Sequence, residues 1–357
     1  MIAQATIIAQ KELAPLLGYP YQRYVEKALA AADISTSCTP DAQVRLWVRS
    51  DIPLVTAQTY AQLAQAGQSD AYVIRENDTP LALALPSTWL QDAPLSLEAI
   101  IAQLAKQDIY PLDLETSDAD THVAITDAYA YQQALQYMQA SIINKHMQAG
   151  VIFLSAETVF LSPEVTIGEG TLIYANNVLE GTTKIGAHCT LYPNNRLHNA
   201  TIGEHTTVES SVAQDCTVGA HTTVGPFAYV RPNSHVGDHC RVGDFVEIKN
   251  SSVGNGTKIS HLTYVGDSDL GQNINLGCGV VFVNYDGKIK QRSTVDNNAF
   301  IGCNCNLVSP VHVGENAYIA AGSTVTEDVP AEALYVARSH GTIKEAWVNK
   351  RKASGKL

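Results

Sequence analysis

The sequence predicts a parallel β-helix of hexapeptide coils, preceded by a small α/β domain and a linker helix. Three observations predict it. Aliphatic side chains recur every six residues from residue 167 onward, glycines commonly follow them, and the 357 residues are 45% apolar and 16% charged. That composition excludes disorder and fibrous structure. A period of six fits neither a helix of 3.6 residues per turn nor a strand ladder of period two. It fits three hexapeptides per triangular coil of about 18 residues, with each aliphatic residue stacked inward on its counterpart one coil away.

Taken in order, residues 1–125 read as the α/β domain. Val44–Val48 is strand-like, and Ala57–Gln65 and Leu97–Lys106 have helical spacing. The linker helix occupies 126–150, with Thr126 as N-cap ahead of Asp127, a body to about Gln148 and Gly150 as its stop. The β-helix fills 151–330. Its inward series runs Ile167, Ile173, Leu179, Ile185, Leu191 and Leu197, slips to Ile202 and Val208, and resumes at Val212, Val218, Val224, Val230, Val236, Val242 and Ile248. Val253, Ile259 and Val265 follow, then Leu270, Leu276 and Phe282, and the series closes with Val295, Ile301, Leu307, Val313, Ile319 and Val325. Gly186, Gly219, Gly243 and Gly314 follow members of the series and are expected to relieve strained corners. Pro330 is expected to break the coil, leaving 331–357 as a basic C-terminal tail.

Formal charge is 23 minus 35, or −12, which argues against a general nucleic-acid binder. Arg338, Lys344, Lys350, Arg351, Lys352 and Lys356 against Glu345 make the last twenty residues basic, either a solvated end or an anion site. No run of about 18 apolar residues occurs, so no membrane span is expected. The opening MIAQATIIAQ lacks a basic leader and an A-x-A-like cleavage site, so no signal peptide is expected. Seven cysteines without a C-x-x-C pair suit a reducing cytoplasm rather than a disulfide framework or structural zinc.

A rigid coil leaves function to its edges and interruptions. The one large interruption separates Phe282 from Val295 and holds Asn284-Tyr285-Asp286-Gly287, then Lys288, Lys290 and Arg292. Asp-Gly alone signals a tight turn; an extruded loop carrying three cations beside a tyrosine also suits an anion. Val230, Ile248 and Val265 are equivalent on consecutive coils, so Arg231 and Lys249 stack on one edge about 4.8 Å apart. Either both stems snorkel into solvent or an anion such as phosphate lies between them, with Lys290 reaching it from the loop. His261, near Tyr264, is either a scaffold histidine or, beside a phosphate, a general base. Glu247 is in place either to orient it or to pair with Arg241 or Lys258.

At these residues the chain resembles a known family. GPFAYVRPNSHVGDHCRVGDFVEIKNSSVGNGTKISHLTYVGD, NYDG and IAAGSTVTEDVP are similar to the acetyltransferase domain of bacterial N-acetylglucosamine-1-phosphate uridyltransferase/glucosamine-1-phosphate acetyltransferase, over about Tyr129 to Trp347. The resemblance implies a left-handed β-helix, an exception to the right-handed crossover rule, assembled as a homotrimer with active sites between subunits. It implies His261 as the base, sugar-phosphate contacts at Arg231, Lys249, Tyr264, Asn275 and Lys290, and acetyl-CoA contacts at Cys278, Asn284, Tyr285, Cys303, Ala321, Arg338 and Lys344. Cys278 stands where the family commonly has Ala, and Cys303 where it has Ser. The first half resembles the family only in SDIPLVTAQTYAQL (50–63), a counterpart of its G-D-x-P-L metal-binding segment with Ser50 in place of Gly. The L-x-x-G-x-G-T-R-M loop and the downstream Pro-Lys of the uridyltransferase domain do not occur, and the glycines before residue 125 are Gly18 and Gly67, each alone.

The expectation is therefore acetyl transfer from acetyl-CoA to the amine of glucosamine 1-phosphate, giving N-acetylglucosamine 1-phosphate for UDP-N-acetylglucosamine synthesis. No metal is needed, and no uridylyl transfer is expected from a truncated first domain. Asp51 matches one metal position and reads as a turn residue ahead of Pro53; the second, usually Asn, falls on Thr126. The rivals are acetylation of another amino sugar and a catalytically silent trimeric scaffold.

Overall fold

The computed structural model describes residues 2–11, 14–17, 19–37, 39, 41–90, 94, 96–118 and 121–356, which form two compact units. One comprises residues 1–145 with 161–163, the other 146–160 with 164–357.

The first unit is a five-stranded mixed sheet between helices. Its strands are β1 (Ala3–Ile8), β2 (Val44–Arg49), β3 (Tyr72–Glu76), β4 (Thr79–Pro86) and β5 (Leu112–Asp113), in the order β1-β2-β4-β3-β5. Period-two alternation splits the strands between two cores. Leu46, Val48, Ala82 and Ala84 face Val25 and Leu29 of α1 (Tyr21–Ala31) and Tyr60 and Leu63 of α2 (Ala57–Ala66). Trp47, Leu83 and Leu85 face Leu97, Ile100 and Leu104 of α3 (Leu97–Ala105). Thr56 and Ser96 cap α2 and α3, their hydroxyls accepting from Thr59 and Ala99 N–H at 3.2 Å. The expected strand and two helices are present within a residue or so of their bounds. The remaining elements of the unit were not expected, although α1 does carry a helical signal, with Tyr21, Val25 and Leu29 buried at i, i+4 and i+8.

Helix α4 (Ala128–Gln148) is capped by Asp127, whose carboxylate accepts the Ala130 N–H at 2.8 Å, and not by Thr126. The N-cap is thus one residue later than expected. Gly150 ends the segment at φ +88°, where a side chain would be strained. Ala134, with Tyr131, Leu135 and Met138 beside it, packs into a small core with Leu16, Tyr21, Leu54 and Ile125, so this helix belongs to the first unit's packing as well as connecting onward.

The second unit is a left-handed parallel β-helix whose two- to four-residue strands form three sheets of ten, nine and eleven strands. Equivalent residues pair in register from coil to coil, as Val230 with Ile248 and Ile248 with Val265. The inward series is buried throughout with one correction. At its second slip the inward residue is Ala213, paired with Leu197 and Val230, while Val212 is 36% exposed. The greater hydrophobicity of Val masked a one-residue shortening of the corner. A second correction concerns the end. Val329 bridges to Val313, and Leu334–Tyr335 pairs with Tyr318–Ile319, so the coil continues past Pro330. Proline is tolerated there because it sits between strands, where its missing N–H breaks no ladder.

The glycines do not serve the corners as expected. Gly186, Gly219, Gly243 and Gly314 have ordinary φ. They are needed where coils touch, since a Cβ at Gly243 would lie 1.9 Å from the Ser260 carbonyl oxygen. The left-handed corner positions are held mostly by Asn, His and Asp. His188, His205, His221 and His239 occupy one such corner on successive coils, their rings stacked 4.9–5.1 Å apart. Beyond the last rung, α5 (Trp347–Ala353) carries Lys350, Arg351 and Lys352 in its last turn, where the helix dipole favours cations.

Candidate active site

One edge of the β-helix gathers Asp244, His261, Cys278, Cys303 and Ala321 into a single column. The register places them there: Asp244 pairs with His261, and the pairs Ile259–Leu276, Leu276–Ile301 and Ile301–Ile319 carry the alignment onward two residues later on each coil. The half-exposed His261 ring meets Asp244 through Nδ1, 2.6 Å from Oδ1. An ionised carboxylate only accepts, so Nδ1 carries the proton and Nε2 is left with its lone pair outward. The hydrogen bond from His261 is the main cause holding the Asp244 carboxyl below its ordinary range. Thr263 Oγ1 donates to the His261 carbonyl at 2.7 Å and fixes the corner that presents the ring.

Asp244 was missed from the sequence, although it lies one coil, 17 residues, before His261, and the repeat would have found it. Glu247 does not orient the histidine, nor does it pair with Arg241 or Lys258. Its carboxylate accepts from Arg231 Nη1 at 2.6 Å.

Arg231 and Lys249 do occupy equivalent positions on adjacent coils, with Tyr264 on the next strand of the same sheet. Each cation has a protein carboxylate of its own. The hydrogen bond to Glu247 raises the Arg231 pKa against the opposing effect of desolvation, and the guanidinium lies 5.6 Å from the Tyr229 ring centre. Lys249 Nζ is 3.4 Å from Asp267. Mutual repulsion is therefore offset within the protein and does not by itself demand a bound anion. Burial would lift the Asp267 carboxyl, but hydrogen bonds from the Asn250 and Asn284 amides and the Lys249 ammonium outweigh it and hold the group below the usual range. Tyr264 lies against Gly266, where a Cβ would come 2.4 Å from the phenol oxygen.

The interruption after Phe282 is a small hairpin in which Tyr285 bridges Lys290. Gly287 takes φ +98°, Asp286 Oδ1 accepts the Lys288 and Ile289 N–H groups at 2.7 Å, and the Tyr285 hydroxyl donates to the Gly287 carbonyl at 2.7 Å. Of the loop's three cations, Arg292 is clamped by Asp269 and by the Asn250 and Ser268 carbonyls. Lys288 and Lys290 are exposed. Asn284 is buried, its amide on Asp267.

The other expected residues are more dispersed. Asn275 lies on a different sheet from the two cations, between Lys258 and Phe300. Arg338 follows the last rung, and its charge favours the Cys305 thiolate slightly, against the larger effect of burial. Lys344 is exposed ahead of α5.

In the first unit, Asp51 lies in the turn ahead of Pro53, as expected, but is closed to solvent. It is buried and receives Arg49 Nε at 2.9 Å and Nη2 at 2.7 Å, a two-pronged pair with side chains 4% and 13% exposed. Gly18 lies outside the described residues. Among the described residues, no group of three or more His, Cys, Asp or Glu side chains is placed to hold a metal ion, and no helix is long and apolar enough to cross a membrane.

Comparison with known proteins agrees with the repeat. A family model described as bacterial transferase hexapeptide (six repeats) matches residues 215–250 and 292–327. The bifunctional protein GlmU of Clostridium acetobutylicum is 51% identical over 219 residues, 61% of this chain and 48% of that protein. GlmU of Acetivibrio thermocellus is 48% identical over 238 residues, 67% of this chain and 52% of its own. The chain thus spans about half the length of the curated relatives it matches. Among solved structures, an Arabidopsis UDP-N-acetylglucosamine acyltransferase aligns at 17% identity and a TM-score of 0.41, covering 56% of this chain and 76% of that one.

Proposed function

Over its carboxy-terminal part the chain is a relative of the bacterial bifunctional GlmU proteins, and from that premise we propose that it moves acetyl from acetyl-CoA to the amine of glucosamine 1-phosphate. The observation that carries the reading is the His261–Asp244 pair standing in one column with Cys278, Cys303 and Ala321.

The amine attacks the thioester carbonyl carbon only when unprotonated, and a proton must leave as the C–N bond forms. His261 Nε2 accepts it, and Asp244 steadies the imidazolium. Arg231, Lys249 and Lys290 receive the sugar phosphate, with Tyr264 and Asn275 against the sugar, which holds the amine near the reacting carbon. A backbone N–H near Cys278 stabilises the oxyanion of the tetrahedral intermediate. Asn284, Tyr285, Cys303 and Ala321 lie along the CoA, and Arg338 and Lys344 meet its phosphates. This chemistry needs no metal.

The active molecule is a homotrimer with its sites between subunits. Phe227, Phe245 and Leu262 support this. They stack at left-handed corners (φ 60°, 56° and 44°), exposed by 59%, 56% and 57%, with Asp244 and His261 immediately before the last two. Large apolar side chains in that conformation carry a strain that Asn or Gly would avoid, and covering them with a second copy offsets it. The first unit does not transfer uridylyl groups, because Asp51 is engaged by Arg49 and the sequence offers no glycine-rich cradle for a triphosphate. Free surface thiols at Cys278 and Cys303 suit a cytoplasmic setting.

The test is to incubate the purified full chain with acetyl-CoA and each of glucosamine 1-phosphate, galactosamine 1-phosphate and glucosamine 6-phosphate, and to follow CoA release. Turnover with glucosamine 1-phosphate is expected. Preference for another sugar would replace the acceptor, and no release from a folded trimer would favour the silent scaffold. In parallel, UTP, Mg²⁺ and N-acetylglucosamine 1-phosphate should yield no pyrophosphate above background.

A further inference from the structure

Six cysteines fall among the described residues, all free, and they sort into two kinds. Cys189, Cys216, Cys240 and Cys305 point inward, and burial raises each thiol above its ordinary range, Cys216 to about 12. Cys189, Cys240 and Cys305 also donate to carbonyls of the next coil, at Gly203, Gly254 and Ala320. Such thiols are inert. Cys278 and Cys303 are different: the first is partly exposed, the second exposed, and they occupy the same position on adjacent coils.

The coils are close at this point. The Cys278 carbonyl accepts the Asn304 N–H at 2.8 Å, and a Cβ on Gly277 would lie 2.6 Å from the Cys303 nitrogen. In-register neighbours on paired strands have Cα atoms about 4.8 Å apart, inside the span of roughly 4.4–6.8 Å that a disulfide bridges.

We propose that Cys278 and Cys303 are a redox-active dithiol, a modification site that closes to a disulfide between adjacent coils under attack by a small-molecule disulfide. The more exposed Cys303 thiolate attacks one sulfur of the small disulfide, forming a mixed disulfide and releasing one small thiol. Cys278 Sγ, having lost its proton, attacks Cys303 Sγ and displaces the second small thiol. The protein pair gives up two electrons and two protons, and the reagent takes them as two thiols. A small dithiol such as dithiothreitol reopens the bond by two exchanges, returning both protein thiols and leaving as its own cyclic disulfide. In-register side chains run parallel rather than toward one another, so the closed bond is a reducible one. Its consequence rests on the proposed function: the bond covers the edge along which acetyl-CoA lies.

The native full chain is treated with oxidised glutathione, alkylated, digested and analysed by mass spectrometry, while the Michaelis constant for acetyl-CoA is measured before and after. The expected result is loss of alkylation at both Cys278 and Cys303, a linked peptide pair lighter by two hydrogens, and restoration of both thiols by dithiothreitol. Cys278→Ala should stop at the glutathione adduct on Cys303, and Cys303→Ser should leave Cys278 alkylatable. A wild-type protein that stays glutathionylated at Cys303 with Cys278 free, or that links Cys303 to Cys305, overturns the pair. Linkage with an unchanged acetyl-CoA Michaelis constant leaves the dithiol standing and removes the cofactor from this edge.

Discussion

Asp244 offers the most direct test of the catalytic reading. The perturbation is Asp244→Ala. In the wild type a 2.6 Å contact fixes the proton on Nδ1 and the orientation of the His261 ring. Without it the half-exposed ring samples two tautomers and two flipped orientations, so only about one arrangement in four presents the Nε2 lone pair outward. The imidazolium formed as the amine attacks also loses its counter-charge. The orientation factor of about four, multiplied by the loss of a charged hydrogen bond of about 1.5–3 kcal/mol, should lower kcat by roughly 50- to 600-fold. The Michaelis constants should hold, because Asp244 reaches neither phosphate nor CoA in the proposed arrangement. Asp244→Glu should recover part of the rate and Asp244→Asn less, since the amide keeps an acceptor oxygen and loses the charge. The assay is steady-state CoA release alongside thermal unfolding. A variant with wild-type kcat, or one whose lost rate is matched by a lost trimer or a lowered Tm, would refute the positioning role.

Three further outcomes follow from the packing. Asp51→Ala leaves the Arg49 guanidinium buried without its partner and should destabilise the first unit by about 3–5 kcal/mol in urea unfolding; unchanged stability would refute a structural role for the pair. Asp267 holds its proton less tightly folded than unfolded, so the unfolded chain binds more protons in acid and stability falls as pH drops through the carboxylate range. Asp267→Asn should flatten that acid limb of Tm against pH while leaving the neutral region less affected. Gly203→Ala puts a Cβ 2.4 Å from the Ala220 nitrogen and should cost about 1–3 kcal/mol or more, because backbone must move. Gly341→Ala, with nothing within 4 Å, is its neutral control.

The β-helix was legible because its cause is local and repeated: one aliphatic residue per corner-to-corner step, held in phase by coil-to-coil stacking. Where the reading slipped, at Val212 against Ala213, two adjacent apolar residues competed and only the paired strands decide between them. The column through His261 was half legible. The repeat brings Arg231 and Lys249 together, and the same arithmetic would have produced Asp244. The partners of Glu247 were not legible, since Arg231, Arg241 and Lys258 all lie within a coil of it and the choice depends on which face each side chain leaves. The first unit was the hardest to read. β4 is an apolar run whose periodicity does not separate a strand from a buried helix, β1 and β3 are short and interrupted by Gln4, Thr6, Arg75 and Glu76, and α1 has neither an acidic first turn nor a side-chain cap.

The hairpin after Phe282 has a consequence for how such a protein can change. Leu270 and Val295 pair in register although 25 residues separate them, against 16 to 18 on the coils below. Both feet of the insertion rest on one residue: the Asn284 amide donates to the Asp267 carboxylate, and the Ser293 N–H donates to the Asp267 backbone carbonyl at 3.2 Å. Arg292 ties the second foot to neighbouring coils, but the hydrogen bonds of residues 285–291 stay within the hairpin, so lengthening or replacing that stretch leaves every rung above and below in phase. Doubling a flexible loop costs only about 0.6 kcal/mol in closure entropy. A lineage of such chains can therefore try new hairpins as cassettes, altering which acceptor is held beside the column, while the scaffold and its proton acceptor stay where they are.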